Sequence, residues 1–122
     1  ACAGGVAAAV DLARRAAAAA GRQVPVYVEA ESLDEVHRLL PTRPDRIMLD
    51  DMPLEPLRQA VAAIRAALPD TQIEATGGVR LDNVRAVAQT GVDLISVGAL
   101  THSAPALDLS MRFTTGPAGA AC

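Results

Sequence analysis

Four short runs rich in branched aliphatic residues begin near positions 24, 46, 71 and 94, a spacing of about one strand-plus-helix unit each time. Between them lie stripes of helical period. Val6, Val10, Ala13 and Ala17 fall on one side of a helix over 5–20, with Asp11, Arg14 and Arg15 opposite and Gly21 as its stop. Ser32 and Glu35 form a capping box for a short helix carrying Leu33, Val36, Leu39 and Leu40, which Pro41 ends. Pro53 suits the first turn of a helix whose apolar stripe is Leu54, Leu57, Val61, Ile64 and Leu68. Asp82 or Asn83 can cap a further helix through Val84, Val87 and Ala88 that stops at Gly91, and a last helix is expected after Pro105 with Leu107 and Met111. The expected strands are 24–30, 46–50, 72–76 and 94–98.

Strictly alternating strands and helices imply parallel strands. A small doubly wound sheet and part of a (β/α) barrel both satisfy that pattern. The strand faces separate them. Val26, Val28, Ile47, Leu49, Ile73, Ala75, Ile95 and Val97 share one parity; Tyr27, Glu29, Met48, Asp50, Gln72, Glu74, Thr76 and Ser96 share the other. A doubly wound sheet needs apolar residues on both faces, whereas a barrel lumen can be polar towards its strand ends. The expected fold is therefore α/β: parallel βα units forming four strands of an incomplete TIM-like barrel. Four units cannot close a barrel and the chain opens directly in a helix, so residues 1–113 read as the C-terminal part of a larger barrel domain, with 114–122 a flexible Gly/Pro/Ala tail.

Composition narrows the function classes. At 122 residues the chain is one domain or a piece of one, and Tyr27 and Phe113 are its only aromatic residues. A net charge of −3 and the lack of stacking groups argue against a nucleic-acid surface. No apolar run is long enough for a bilayer, and the start lacks the regions of a signal peptide, so no membrane partner and a cytoplasmic location are expected. Cys2 and Cys122 stand one at each end with no metal-ligand spacing, and they read as unpaired thiols.

The segments that carry chemistry are strand ends. Glu74-Ala75-Thr76-Gly77-Gly78-Val79 and Ser96-Val97-Gly98-Ala99-Leu100 each run from a buried strand into a glycine turn. Such turns let backbone N–H groups face an anion, and in phosphate-binding barrels the loops after the last two strands often do so. Parity also puts Glu29, Asp50 and Glu74 in the lumen, where buried carboxylates need a cation. The chain has no lysine, so the cation is either Mg²⁺, which takes a few carboxylates plus substrate phosphates, or a Lys or Arg from elsewhere in the protein. Arg80 can reach phosphate or stay solvated. His102 reads as a loop histidine making a hydrogen bond, His37 as a surface residue, and Asp51 as a cap for the following helix.

Four segments in order resemble the quinolinate phosphoribosyltransferase family, also called nicotinate-nucleotide pyrophosphorylase (carboxylating). They are Val28-Glu29-Ala30-Glu31-Ser32-Leu33, Ile47-Met48-Leu49-Asp50, the Glu74–Val79 run and Ser96-Val97-Gly98-Ala99-Leu100-Thr101-His102-Ser103, continued by Ala104-Pro105-Ala106-Leu107-Asp108. The resemblance covers about residues 3–112. It implies a two-domain, homo-oligomeric enzyme in which quinolinate and phosphoribosyl pyrophosphate give nicotinate mononucleotide, pyrophosphate and CO₂ with Mg²⁺, for NAD biosynthesis. It further implies that Glu29 and Asp50 hold the ribose hydroxyls and the metal-bound sugar phosphate. The backbone of Thr76, Gly77, Gly78, Gly98 and Ala99 would take the 5′-phosphate. Tyr27, Asp51 and Thr76 depart from the Glu, Asn and Ser usual in the family. The cationic quinolinate pocket of the family comes from segments not in this sequence, so the chain alone is expected to be inactive. A molybdenum-operon relative or other phosphate-binding barrel, and a non-catalytic self-associating fragment, are the alternatives.

Overall fold

A computed structural model describes residues 5–113; Cys2, Cys122 and the expected tail over 114–122 lie outside them. In chain order the elements are α1 (Val6–Ala19), β1 (Tyr27–Ala30), α2 (Leu33–Leu39), a 3₁₀ turn (Leu40–Thr42), β2 (Arg46–Asp50), α3 (Leu54–Ala67), β3 (Gln72–Thr76), α4 (Val84–Ala88), β4 (Leu94–Ile95) and α5 (Ala99–His102). The four strands form one sheet in the order β1-β2-β3-β4, and every neighbouring pair is parallel. A strand order without reversal sends every right-handed crossover over the same face. The helices accordingly cover one side only, which is the winding of a barrel rather than of a doubly wound sheet.

The core follows from the parity of the strands. Ile47, Leu49, Ile73 and Ala75 meet Val36 and Leu39 of α2, Leu57, Ala60, Val61 and Ile64 of α3, and Val87 of α4. Ile47, Ile64 and Ile73 are completely buried, and each such side chain contributes roughly 1.5–3 kcal/mol of hydrophobic stabilisation. The other face stays open: Glu29 and Gln72 are exposed, and Tyr27 keeps 49% of its surface.

Local signals account for most boundaries. Ser32 Oγ accepts the Glu35 N–H at 3.3 Å, while the Glu35 carboxylate accepts the Glu31 N–H at 2.8 Å, so the capping box closes one residue earlier than its ideal form. Gly21 sits at φ 66 after α1, as a helix stop requires. Between α3 and β4, Arg65 donates to Asp93 at 2.6 Å, and Asp93 also accepts the Ile73 N–H at 2.7 Å. The Arg65 bond, and then the Ile73 amide, hold the Asp93 carboxyl below its ordinary value of 3.8.

Several expectations are corrected. The first strand starts at Tyr27 rather than at 24, because Pro25 has no N–H for the ladder. Pro41 does not stop α2 outright; the chain tightens into the 3₁₀ turn that contains it. β4 is two residues long, although the Ser96 N–H still reaches Ala75 O at 2.9 Å. The helix expected after Pro105 is absent; the last helix is Ala99–His102, and residues 103–113 form neither helix nor strand. Leu107, Leu109, Met111 and Phe113 alternate with Asp108, Ser110 and Arg112. That is a period of two, which a Leu107–Met111 pair alone had disguised as helical.

Candidate phosphate-binding site

β1, β2 and β3 bring their C-terminal ends to one rim of the sheet. Asp50 lies opposite Thr76, and Glu29 lies opposite Met48, one inward position below Asp50. Glu31 follows on the same parity just past β1. Glu29, Glu31 and Asp50 each place a carboxylate oxygen so that all lie within 4.8 Å of one another. Three anions at that separation repel unless a cation is shared. An all-oxygen donor set of this kind fits Mg²⁺, which takes one or two carboxylates and completes its shell with water and phosphate. Glu31 shares the parity of Glu29 two residues earlier, and that spacing is the sequence signal for its place in the cluster.

Glu74 has a different role from the one its parity suggested. Its residue surface is only 6% exposed, yet both carboxylate oxygens are satisfied within the chain. Arg46 donates to one at 2.9 Å and Ser96 Oγ–H to the other. Arg46 also binds the Gln72 side chain and lies 4.3 Å from the Tyr27 ring centroid. The cation that Glu74 needs is therefore Arg46, two residues from Met48 and on the same lumen parity, and neither a metal nor an outside side chain is required there. Tyr27, which stands where the resemblance leads one to expect Glu, packs on this guanidinium.

The glycine turns differ in kind. Gly77 and Gly78 both have left-handed backbone, φ 74 and φ 58, which only glycine adopts without strain. They also pack closely on the end of β2. A Cβ on Gly77 would stand 2.6 Å from the Asp51 amide nitrogen and 2.7 Å from Asp50 Oδ1; one on Gly78 would stand 2.8 Å from Asp51 Oδ1. Asp51 itself has φ 47, and its N–H binds Thr76 O at 2.9 Å. It does not cap α3, whose N-cap is Pro53, with no side-chain bond. Gly98 has ordinary helical angles at the start of α5. A Cβ there would stand 2.8 Å from His102 Nε2, and the other ring nitrogen of His102 is 2.7 Å from Ser103 Oγ. The expected hydrogen bond of His102 is present, on a short helix instead of a loop.

Asp50, Thr76, Gly77, Gly78, Gly98 and Ala99 line one cavity of about 850 Å³, together with Arg80, Ser96, His102 and Ser103. Glu29 is outside that lining and joins it through the carboxylate cluster with Asp50. The N–H groups of Gly77, Gly78, Gly98 and Ala99 meet no protein acceptor among the described residues. The cavity thus combines unused backbone donors and the side chains of Arg80 and His102 with a carboxylate at its edge. That combination suits an anion carrying hydroxyl groups.

Residues 1–112 match the family described as quinolinate phosphoribosyl transferase, C-terminal domain. The nicotinate-nucleotide pyrophosphorylase [carboxylating] of Rattus norvegicus is 41% identical over 98 residues, covering 80% of this chain and 33% of its own length. The structure of the nicotinate-nucleotide pyrophosphorylase from Francisella tularensis superposes with a TM-score of 0.70 at 35% identity, over 81% of this chain and 33% of that one. A thiamine phosphate pyrophosphorylase from Pyrococcus furiosus shares the architecture with a TM-score of 0.60 at 26% identity, over 72% of this chain and 43% of that one. The chain spans about a third of the length of the curated relatives it matches.

Proposed function

This chain belongs to the quinolinate phosphoribosyltransferase family, and we propose that it forms the phosphoribosyl-binding part of an enzyme of NAD biosynthesis. The reaction is transfer of the phosphoribosyl group from phosphoribosyl pyrophosphate to quinolinate, giving nicotinate mononucleotide, pyrophosphate and CO₂. The observation that carries this reading is one cavity lined both by Asp50 and by Gly77, Gly78, Gly98 and Ala99, whose N–H groups meet no protein acceptor among the described residues. A sugar 5′-phosphate needs the donors, and ribose hydroxyls need a carboxylate acceptor within a few ångströms of them.

In this reading the four N–H groups hold the 5′-phosphate, Thr76 leads into the turn with its carbonyl taken by the Asp51 N–H, and Glu29 and Asp50 accept from the ribose hydroxyls. Glu29 and Asp50, with Glu31 beside them, would hold Mg²⁺, which supplies charge neutralisation for the departing pyrophosphate. Positive charge develops at the anomeric carbon as pyrophosphate leaves, and the carboxylates at the rim stabilise it. Quinolinate is a dicarboxylate, and Arg80 and His102 are the only cationic residue types lining the cavity. Its binding therefore draws on cations outside this chain, in an N-terminal region and a second subunit of a cytoplasmic homo-oligomer. Among the described residues no helix is long and apolar enough to cross a membrane.

Titration of the 122-residue chain with ribose 5-phosphate, followed by NMR, tests the reading. The amide signals of Gly77, Gly78, Gly98 and Ala99 should move together, Gly78→Val should weaken binding, and the chain alone should form no nicotinate mononucleotide. Unchanged affinity in Gly78→Val, or turnover by the isolated chain, refutes it.

A further inference from the structure

We infer that Asn83 is a positioning residue for the phosphate turn, an inference that rests on the phosphoribosyl reading above. Gly77 and Gly78 are consecutive left-handed residues. Two adjacent glycines lose the most conformational freedom on ordering, so the turn needs fixed points on both sides to keep one shape. The first is the end of β2, where the Asp51 N–H binds Thr76 O. The second is the Asn83 carboxamide. Its Oδ1 accepts the Arg80 N–H at 2.7 Å, and its Nδ2 donates to Gly78 O at 3.0 Å.

One side chain thus bridges the carbonyl that leaves the turn and the amide two residues on. Asn83 occupies the N-cap position of α4 but makes no capping bond there, so its carboxamide is committed to the turn and not to the helix. The Arg80 carbonyl is held as well, by the Val84 N–H at 2.9 Å. Fixing Gly78 C=O and Arg80 N–H sets both peptide planes between them. The electrostatic consequence is direct. A Gly78 carbonyl free to swing would bring partial negative charge towards an anion held by the Gly77 and Gly78 amides, and the Asn83 amide keeps it occupied.

Asn83 does this from behind. It lines a second cavity of about 290 Å³, with Leu57 and Val87, on the other side of the Thr76–Val79 segment that both cavities share, and is not among the residues lining the larger cavity. It positions the ligand-facing backbone without touching the ligand. The demand for one acceptor and one donor on a short side chain singles out asparagine: aspartate keeps the bond from Arg80 and loses the one to Gly78.

Asn83→Ala and Asn83→Asp in the 122-residue chain test this, with ribose 5-phosphate as the probe and amide hydrogen exchange, backbone relaxation and urea unfolding as further readouts. Asn83→Ala should weaken ribose 5-phosphate binding by about three- to tenfold, the range expected for one or two lost solvent-exposed hydrogen bonds. It should speed exchange of the Arg80 amide and loosen Gly77 and Gly78 while β1 and β2 keep their signals. Asn83→Asp should keep the Arg80 amide protected and still bind more weakly. Native affinity in both variants overturns the inference and leaves the phosphoribosyl reading standing. So does weakening in Asn83→Ala that only tracks a general loss of fold, with Asn83→Asp binding like the native chain. Failure of the native chain to bind ribose 5-phosphate overturns the phosphoribosyl reading, and this inference with it.

Discussion

Replacing Gly77 with alanine measures how tightly the Gly77–Gly78 turn is seated on β2. The new Cβ would stand 2.6 Å from the Asp51 amide nitrogen, 2.7 Å from Asp50 Oδ1 and 2.9 Å from Asp51 Cα. Non-bonded atoms prefer about 3.5 Å or more, so each contact is well inside the repulsive wall. Two of the three atoms are backbone, and the amide is tied to Thr76 O, so relief requires parting the C-terminal ends of β2 and β3. The cost has two parts. Left-handed backbone at φ 74 costs an alanine about 1–2 kcal/mol, and overpacking adds about 1–3 kcal/mol. Gly21→Ala is the control: its φ is 66, and nothing lies within 4 Å of its Cβ, so it carries the first cost alone. The difference between the two variants, about 1–3 kcal/mol, isolates the close approach. Urea unfolding reads it directly. With a slope of about 1–3 kcal/mol per molar, the Gly77→Ala midpoint should fall below that of Gly21→Ala by roughly 1 M. Coincident midpoints at equal slope would refute the argument that the turn is wedged against Asp50 and Asp51.

Two further predictions concern the charged pairs. Arg46→Ala should destabilise the chain by about 2–4 kcal/mol, since it leaves the buried Glu74 carboxylate without its cation, and Arg46→Ala/Glu74→Ala should recover much of that loss; strictly additive effects in a double-mutant cycle would show that the pair is not coupled. Asp93→Asn should cost no more than about 1 kcal/mol at pH 7, because the Arg65 pair is substantially exposed. The Asp93 carboxyl titrates lower in the folded chain than in the unfolded one, so its contribution is present above the ordinary value of 3.8 and is lost as pH falls through the folded value. The native and Asp93→Asn unfolding midpoints should therefore converge only below about pH 4, and a gap that stays constant down to pH 2 would count against it.

Legibility in the sequence tracked how local each determinant is. β2 and β3 were readable to the residue because their faces alternate cleanly between apolar and polar, and α3 because five apolar positions keep helical spacing. The C-terminal run was misread because Leu107 and Met111 satisfy a helical spacing while Leu107, Leu109, Met111 and Phe113 satisfy a strand spacing. Local pattern cannot arbitrate when no packed partner is supplied. Arg46 was overlooked although the same parity that exposed Glu74 also exposed it. Asp51 reads as a cap for α3 and Asp82 or Asn83 as a cap for α4, reasonable local readings for their types; Asn83 does take the N-cap position, without a capping bond. Tertiary approach redirects Asp51, since the Gly77–Gly78 turn meets the end of β2; for Asn83 the competing partners are as local as a cap, the Arg80 N–H and Gly78 O three and five residues back.

That redirection changes what the glycine pair itself says. A Gly-Gly step at a strand end reads naturally as selection for a ligand that must come close. Here each glycine already has two reasons internal to the fold: a left-handed φ, and a Cβ position overlapping Asp50 or Asp51. The pair would be needed even with nothing bound, so it cannot by itself identify a phosphate site. What distinguishes the candidate site is what the fold does not use. Among the described residues the N–H groups of Gly77 and Gly78 go without a protein acceptor, as do those of Gly98 and Ala99 lining the same cavity, although Gly98 has no unusual backbone angle of its own. These solvent-open donors from two successive strand ends line one cavity with a carboxylate, those of Gly98 and Ala99 as the free N–H groups of a helix start. They mark the candidate anion position more directly than the conformation of the glycines that carry them.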